Sequence, residues 1–188
     1  MPFRINTADG EGWPFPISFA AMKSALIVLL TTFAVPASAR GSVVYADGAW
    51  AAIDRGAVCE ALSRSQKIAP KEKVQATAGI TFSRDHRHWG EFHVRLSRMP
   101  RGDASVMLHV GDQPFLLVTR NGWAWSRGPA QSQGIIAAMR ETASMRVESR
   151  DMAGVRFADP YLLDGAPTAI DAAAAHCALR NAGKISPQ

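Results

Sequence analysis

The sequence predicts a mainly β domain: a compact antiparallel β-sandwich or partly open barrel with a short inserted helix and a C-terminal helix. Three observations carry that expectation. Glu91–Ser97 alternates strictly, with Phe92, Val94 and Leu96 on one side and Glu91, His93 and Arg95 on the other, the period of a half-buried strand. Asn121-Gly122 stands between two apolar runs, and both central positions of a type I′ hairpin turn need φ > 0. The period turns helical in only two places, Gln131–Thr142 and Thr168–Asn181.

Taken in order, residues 40–58 hold a short β-branched piece, a turn at Asp47-Gly48 and the aromatic Trp50. Cys59 to Leu62 leads into a basic, proline-broken segment, Ser63–Lys73, expected as an exposed loop. Val74–Phe82 is the next strand, followed by the charged loop Ser83–His88 and then the alternating strand, which Met99-Pro100-Arg101-Gly102-Asp103 ends. Val106–Val110 and Pro114–Thr119 join through Gly111-Asp112. With the strand beyond Asn121-Gly122 they make a three-stranded meander, Trp123 and Trp125 sharing one face. In Gln131–Thr142, Ile135, Ile136, Met139 and Arg140 fall at helical spacing. Met145–Arg150 and Gly154–Phe157 read as a hairpin turning at Asp151–Gly154, with Pro160–Leu163 a separate extended piece. The last helix takes Thr168 as N-cap and Gly183 as its stop, and buries Ile170, Ala174, Cys177 and Ala178. There is no internal repeat and no low-complexity tract.

The amino-terminal part reads as an export signal. Met22-Lys23 is a short basic start, Ser24–Ala34 is uncharged and mostly apolar, and Val35–Ala39 breaks the helix and offers small residues at Ala37 and Ala39. Cleavage is expected between Ala39 and Arg40. An apolar run of roughly 11–14 residues is too short for a bilayer, which takes about 20. Residues 1–21 precede the basic start, are Pro/Gly-rich and aperiodic, and are read as preceding a true start of translation at Met22, with a disordered extension as the alternative; either way they stand outside the fold. The chain thus divides into residues 1–21, a signal peptide over 22–39, and one mature β-rich domain over 40–188, long enough to bury a real core. The destination expected is the periplasm or the cell exterior, with no transmembrane span in the mature form.

The formal charge is +5, and residues 1–39 carry two cations and two anions, so the mature part keeps it. The cations are spread along the chain without a Lys/Arg block or interleaved aromatics, which argues against nucleic acid and leaves anionic envelope surfaces or acidic partners. In an oxidising compartment the pair Cys59 and Cys177 reads as one disulfide, closing a loop of about 118 residues. That spacing suits neither a zinc knuckle nor a redox C-x-x-C motif.

A set of residues in the second half carries a family resemblance. It comprises the paired strands of Val106–Val118, Trp125, the helical Ile135–Arg140, the strand Met145-Arg146-Val147, and Tyr161-x-Leu163-x-Gly165-Ala166-x-x-Ala169-Ile170 ending in Cys177. From roughly Val94 to Cys177 the chain resembles the invasion-associated locus B family of exported bacterial proteins. It departs from the family pattern at Ala166, where an aromatic is expected after the glycine. The resemblance implies a signal-peptide-bearing, β-rich periplasmic or envelope protein without known catalytic residues, some relatives being associated with host-cell invasion.

Candidate chemistry is sparse. His86, His88 and His93 lie close in sequence beside Asp85, and imidazoles converging on one ion would make a metal site. Arg84 and Arg87 sit inside that cluster and repel a cation, which favours a solvated loop. His109 and His176 have no acidic neighbour in sequence and read as structural. No serine lies in a Gly-x-Ser-x-Gly elbow, and Asp85, Glu91 and Asp112 carry nothing beyond ordinary surface charge. Arg101-Gly102-Asp103 spells an integrin-adhesion tripeptide, yet those residues belong in a Pro/Gly turn for backbone reasons alone. Trp89, Trp123 and Trp125 either fill the core or form an aromatic binding face. The function expected is therefore a non-enzymatic envelope protein that uses no cofactor and binds a protein or envelope component. The alternative is a periplasmic hydrolase or metal-dependent enzyme using His86, His88 and His93.

Overall fold

The computed structural model describes residues 41–182. The expected signal peptide, its Ala39–Arg40 cleavage site and the Gly183 stop lie outside the described residues. Among the described residues, ten strands form one open antiparallel sheet: β1 Ser42–Asp47, β2 Trp50–Asp54, β3 Val58–Arg64, β4 Thr77–Ser83, β5 Trp89–Arg95, β6 Val106–Val110, β7 Gln113–Arg120, β8 Trp123–Trp125, β9 Ser144–Arg150 and β10 Arg156–Leu162. Helix α1 spans Pro129–Glu141 and α2 spans Ala166–Ala182. The spatial order is β1-β2-β3-β4-β5-β8-β7-β6-β9-β10. The mainly β fold with an inserted and a terminal helix is as the sequence predicts.

One face of this sheet carries the whole core. The inward rows run through register partners: Ala61, Ile80 and Phe92 across β3–β5, then Val94 and Ala124, then Leu108 and Val147, then Met145 and Tyr161. All are buried. The sheet curls, so that its last strand returns to its first ones. Trp50 Nε1 donates to Leu162 O at 2.9 Å, and Gln66 N donates to Pro160 O at 2.8 Å. The edges β1 and β10 do not pair with each other. Pro160 sits within β10, where an edge strand tolerates the missing N–H, so the expected hairpin arm and the piece after it are one continuous strand.

The turns follow the predicted chemistry. Asn121 and Gly122 both take positive φ, 52° and 77°, which makes β7 and β8 a tight hairpin. The largest departure lies at the start of the domain, where the sequence shows one β-branched piece and a loop from Ser63. Three strands form there, and β3 runs to Arg64. Their inward residues include Ala52 and Ala61, which have weak strand preference but leave room for a helix, and α2 packs on these strands. Helix α2 also begins three residues earlier than an N-cap at Thr168 would place it. Gly165 takes φ 78°, and a Cβ there would collide with the Asp47 carbonyl, so the chain turns into the helix at Ala166 and Thr168 lies exposed within it. Its buried stripe is Ala169, Ala173 and Cys177 with Ile170 beside it, while Ala178 is exposed.

Two links bind α2 to the sheet. Cys59 on β3 and Cys177 on α2 stand at disulfide distance with Cα atoms 5.7 Å apart, both fully buried. One residue earlier, His176 Nε2 lies 2.9 Å from Oδ2 of Asp54, a buried carboxylate that also accepts from Arg84 at 3.0 Å and Gly56 N at 2.7 Å. Removing the bond by Cys59→Ser is expected to cost about 3–5 kcal/mol, the loop-entropy magnitude for so long a loop. Urea unfolding checks this: reductant should lower the wild-type midpoint and leave the Cys59→Ser midpoint where it is. Equal wild-type midpoints with and without reductant would mean that the two cysteines are not bonded.

Candidate functional site

The core occupies one face of β3, β4, β5 and β8, and strand alternation therefore sends their remaining side chains to the other. Phe92 and Val94 point inward, so Glu91, His93 and Arg95 point outward. Ala124 points inward, so Trp123 and Trp125 point outward beside them. Register pairs His93 with Trp125 and Arg95 with Trp123, and aligns Glu60, Thr81 and Glu91 in a neighbouring row. Together Glu60, Thr81, Glu91, His93, Trp123 and Trp125 line a shallow cleft of about 280 Å³.

The two indoles are nearly parallel, 21° apart with centroids separated by 6.4 Å, and both are half-buried. The Arg95 guanidinium lies 5.8 Å from the Trp123 ring centroid, within cation–π range. His93 forms the floor. Its ring lies over Gly79, where a Cβ would come within 2.8 Å of it, so glycine is what lets the imidazole settle onto the sheet. Only 8% of His93 is exposed. Burial lowers its pKa below the ordinary 6.5, outweighing the opposing pull of the Glu60 carboxylate, and the ring is neutral at pH 7.

Thr81 Oγ1, His93 and Glu60 fall in hydroxyl–imidazole–carboxylate order, Thr81 Oγ1 at 3.2 Å from Nδ1 and Glu60 Oε1 at 4.0 Å from Nε2. The second distance exceeds a hydrogen bond, and Glu60 is held at 2.5 Å by Arg55 Nε. The arrangement orients a ring and offers hydrogen bonds.

No family model, curated protein or solved structure matches the chain.

The other sequence-derived candidates take separate places. Trp89 is not part of the cleft: it packs edge-on against Phe82 with centroids 5.2 Å apart and lies 4.6 Å from the His86 ring. The three candidate metal histidines do not converge. His86 takes φ 58° in the β4–β5 turn, His88 pairs with Glu91, and His93 lies under the indoles. Among the described residues no group of three His, Cys, Asp or Glu could hold a metal ion. Asp85 shapes that turn, accepting from Ser83 Oγ at 2.6 Å and Arg87 N at 3.1 Å, which holds its carboxyl below the usual range. Arg101 and Asp103 bond to each other at 2.6 and 3.0 Å, so the adhesion-like tripeptide presents a paired cation and anion. Asp112 is an exposed turn residue.

Sequence reasoning missed Glu60 and Thr81, because their role exists only in cross-strand register. It also missed the partners of two histidines. His109 Nε2 lies 3.7 Å from Glu148, and His176 meets Asp54 across 122 residues of chain.

The burial of His93 has a pH consequence. Unfolded, the ring protonates near 6.5, while in the fold it stays neutral to lower pH. Its contribution to stability is therefore complete above about 6.5 and drains as pH falls through the window beneath that value. Unfolding midpoints followed from pH 7.5 down to 5 should fall less steeply in His93→Gln than in the wild type. Parallel slopes would show that His93 titrates in the fold as it does in water.

Proposed function

We propose that this chain is an exported, non-enzymatic binding protein of the bacterial envelope, similar to the invasion-associated locus B proteins, and that it takes its ligand on the Trp123–Trp125 face. The observation that carries this reading is the pair of near-parallel, half-buried indoles beside a neutral imidazole and two carboxylates. Exposed aromatic pairs are costly to leave in water, and tryptophan is concentrated where binding energy is made. Export is supported by the Met22–Ala39 pattern and by the buried cysteine pair at disulfide distance. Among the described residues no helix is long and apolar enough to cross a membrane.

The chemistry of the cleft selects a class of ligand. A pyranose unit of an envelope glycan has one apolar CH face for an indole, and hydroxyls around its edge. Glu60 and Glu91 would accept from those hydroxyls, and the neutral His93 could donate or accept. A flat, fully apolar ligand would leave the carboxylates unused; a bare cation would meet Arg95.

Co-sedimentation with purified peptidoglycan sacculi, followed by tryptophan fluorescence titration with soluble glycan fragments, tests the reading. The wild type should be retained, and Trp125→Ala should bind at least about tenfold more weakly, the scale of a single tryptophan hot spot. Retention that is absent in the wild type, or unchanged in both Trp123→Ala and Trp125→Ala, would contradict it.

A further inference from the structure

At one end of the molecule, apolar side chains stand in water beside unpaired cations. The loop after β3 exposes 81% of Ile68, and the β9–β10 turn exposes 65% of Met152 and 54% of Val155. Ile68, Met152, Val74 and Met99, the last 51% exposed, border a groove of about 640 Å³. Lys67, Lys73 and Arg98 line the same groove. A second groove of about 750 Å³ shares Lys67 and adds Arg101, Arg150 and Arg156.

Six cations, Lys67, Lys73, Arg98, Arg101, Arg150 and Arg156, line the two grooves against four carboxylates, Asp103, Glu148, Asp151 and Asp159. Arg98 is neutralised by Asp151 at 2.9 Å and Arg101 by Asp103. Lys67, Lys73, Arg150 and Arg156 have no carboxylate partner among the described residues, and Lys71 adds a further cation in the same loop, against Glu72. The backbone aims two of the four. Lys67 Nζ bonds Ala158 O at 2.8 Å, and Arg150 bonds Gly154 O at 3.0 Å, so both are held at the groove and their charge stays there.

We infer that this loop end docks onto an anionic bilayer surface, Ile68, Met99 and Met152 entering the headgroup boundary while Lys67, Lys73, Arg150 and Arg156 meet lipid phosphates. Apolar tips alone would suit many partners, and cations alone would suit any polyanion. Their alternation around one rim fits an interface whose apolar interior begins directly beneath a layer of negative charge. The contact is peripheral: a few side chains on loops, with the sheet remaining above the surface. It lies apart from the Trp123–Trp125 cleft, none of whose lining residues borders either groove.

Vesicle co-sedimentation of the chain from Arg40 onward tests the inference, since residues 41–182 contain every core residue named above. Vesicles of phosphatidylcholine with about 30 mol% phosphatidylglycerol should retain the protein at least about tenfold more strongly than phosphatidylcholine alone, and salt should release it. Ile68→Ser/Met152→Ser and Lys73→Glu/Arg156→Glu, all exposed positions, should each weaken retention at least about tenfold while circular dichroism stays unchanged. Trp123→Ala/Trp125→Ala should bind vesicles like the wild type. No retention on anionic vesicles, equal retention on neutral ones, or full retention by the two loop variants would overturn the inference. Loss of vesicle binding in the tryptophan variant would overturn it too, by assigning the contact to the other face.

Discussion

Both helices sit on the core side of the sheet. Helix α2 is joined to it through Cys59 and Cys177, and α1 is joined to α2 through Arg140 and Asp171 at 2.5 Å. Strand alternation then forces a division of labour. Every second residue of β3, β4, β5 and β8 enters the core beneath the helices, and the residues between have no layer above them. A sheet half covered in this way must put polar groups or recognition groups on its open side. Around β5 and β8 it puts both: Glu60, Glu91 and Arg95 are polar, and Trp123 and Trp125 are large apolar surfaces that the fold leaves half-buried.

The covered side explains why the open side can be so exact. Ala52 and Ala61 are small where α2 approaches, Ala169 and Ala173 are small on the helix, and the cysteine pair and Asp54–His176 fix its distance. On the other side of β4, Gly79 presents bare backbone, and His93 lies down on it. Burial keeps the ring neutral, and a neutral floor under two indoles favours an uncharged ring over an ion. A chain of local causes thus runs from small residues in the helix seam to the character of the cleft.

Much of the fold was legible because its signals are local. The alternation of Glu91–Ser97, the Asn121-Gly122 turn and the change of period at α1 each depend on a few neighbouring residues. Of the first three strands the β-branched β1 and its Asp47-Gly48 turn were legible, but β2 was not: Trp50–Asp54 contains two alanines and a buried aspartate whose justification is a helix more than a hundred residues away. The cleft was half legible. Shared parity of Trp123 and Trp125 follows from spacing, and so does that of Glu91 and His93. That the two pairs face each other depends on β5 pairing with β8 instead of with β6, a crossover that no local pattern announces. Trp89 shows the same limit from the other side. An irregularity in the β4–β5 register turns it toward Phe82 and away from the residues it resembles in sequence.

The account stands on which tryptophans the sheet turns toward water. Oxidative footprinting of the folded protein, read residue by residue by mass spectrometry, measures this directly. Trp123, Trp125 and Trp89 should be modified readily, and Trp50, with 2% of its surface exposed, should be protected until the protein unfolds. Protection of Trp123 and Trp125 to the level of Trp50 would place them in a covered layer, and the binding face described here would not exist.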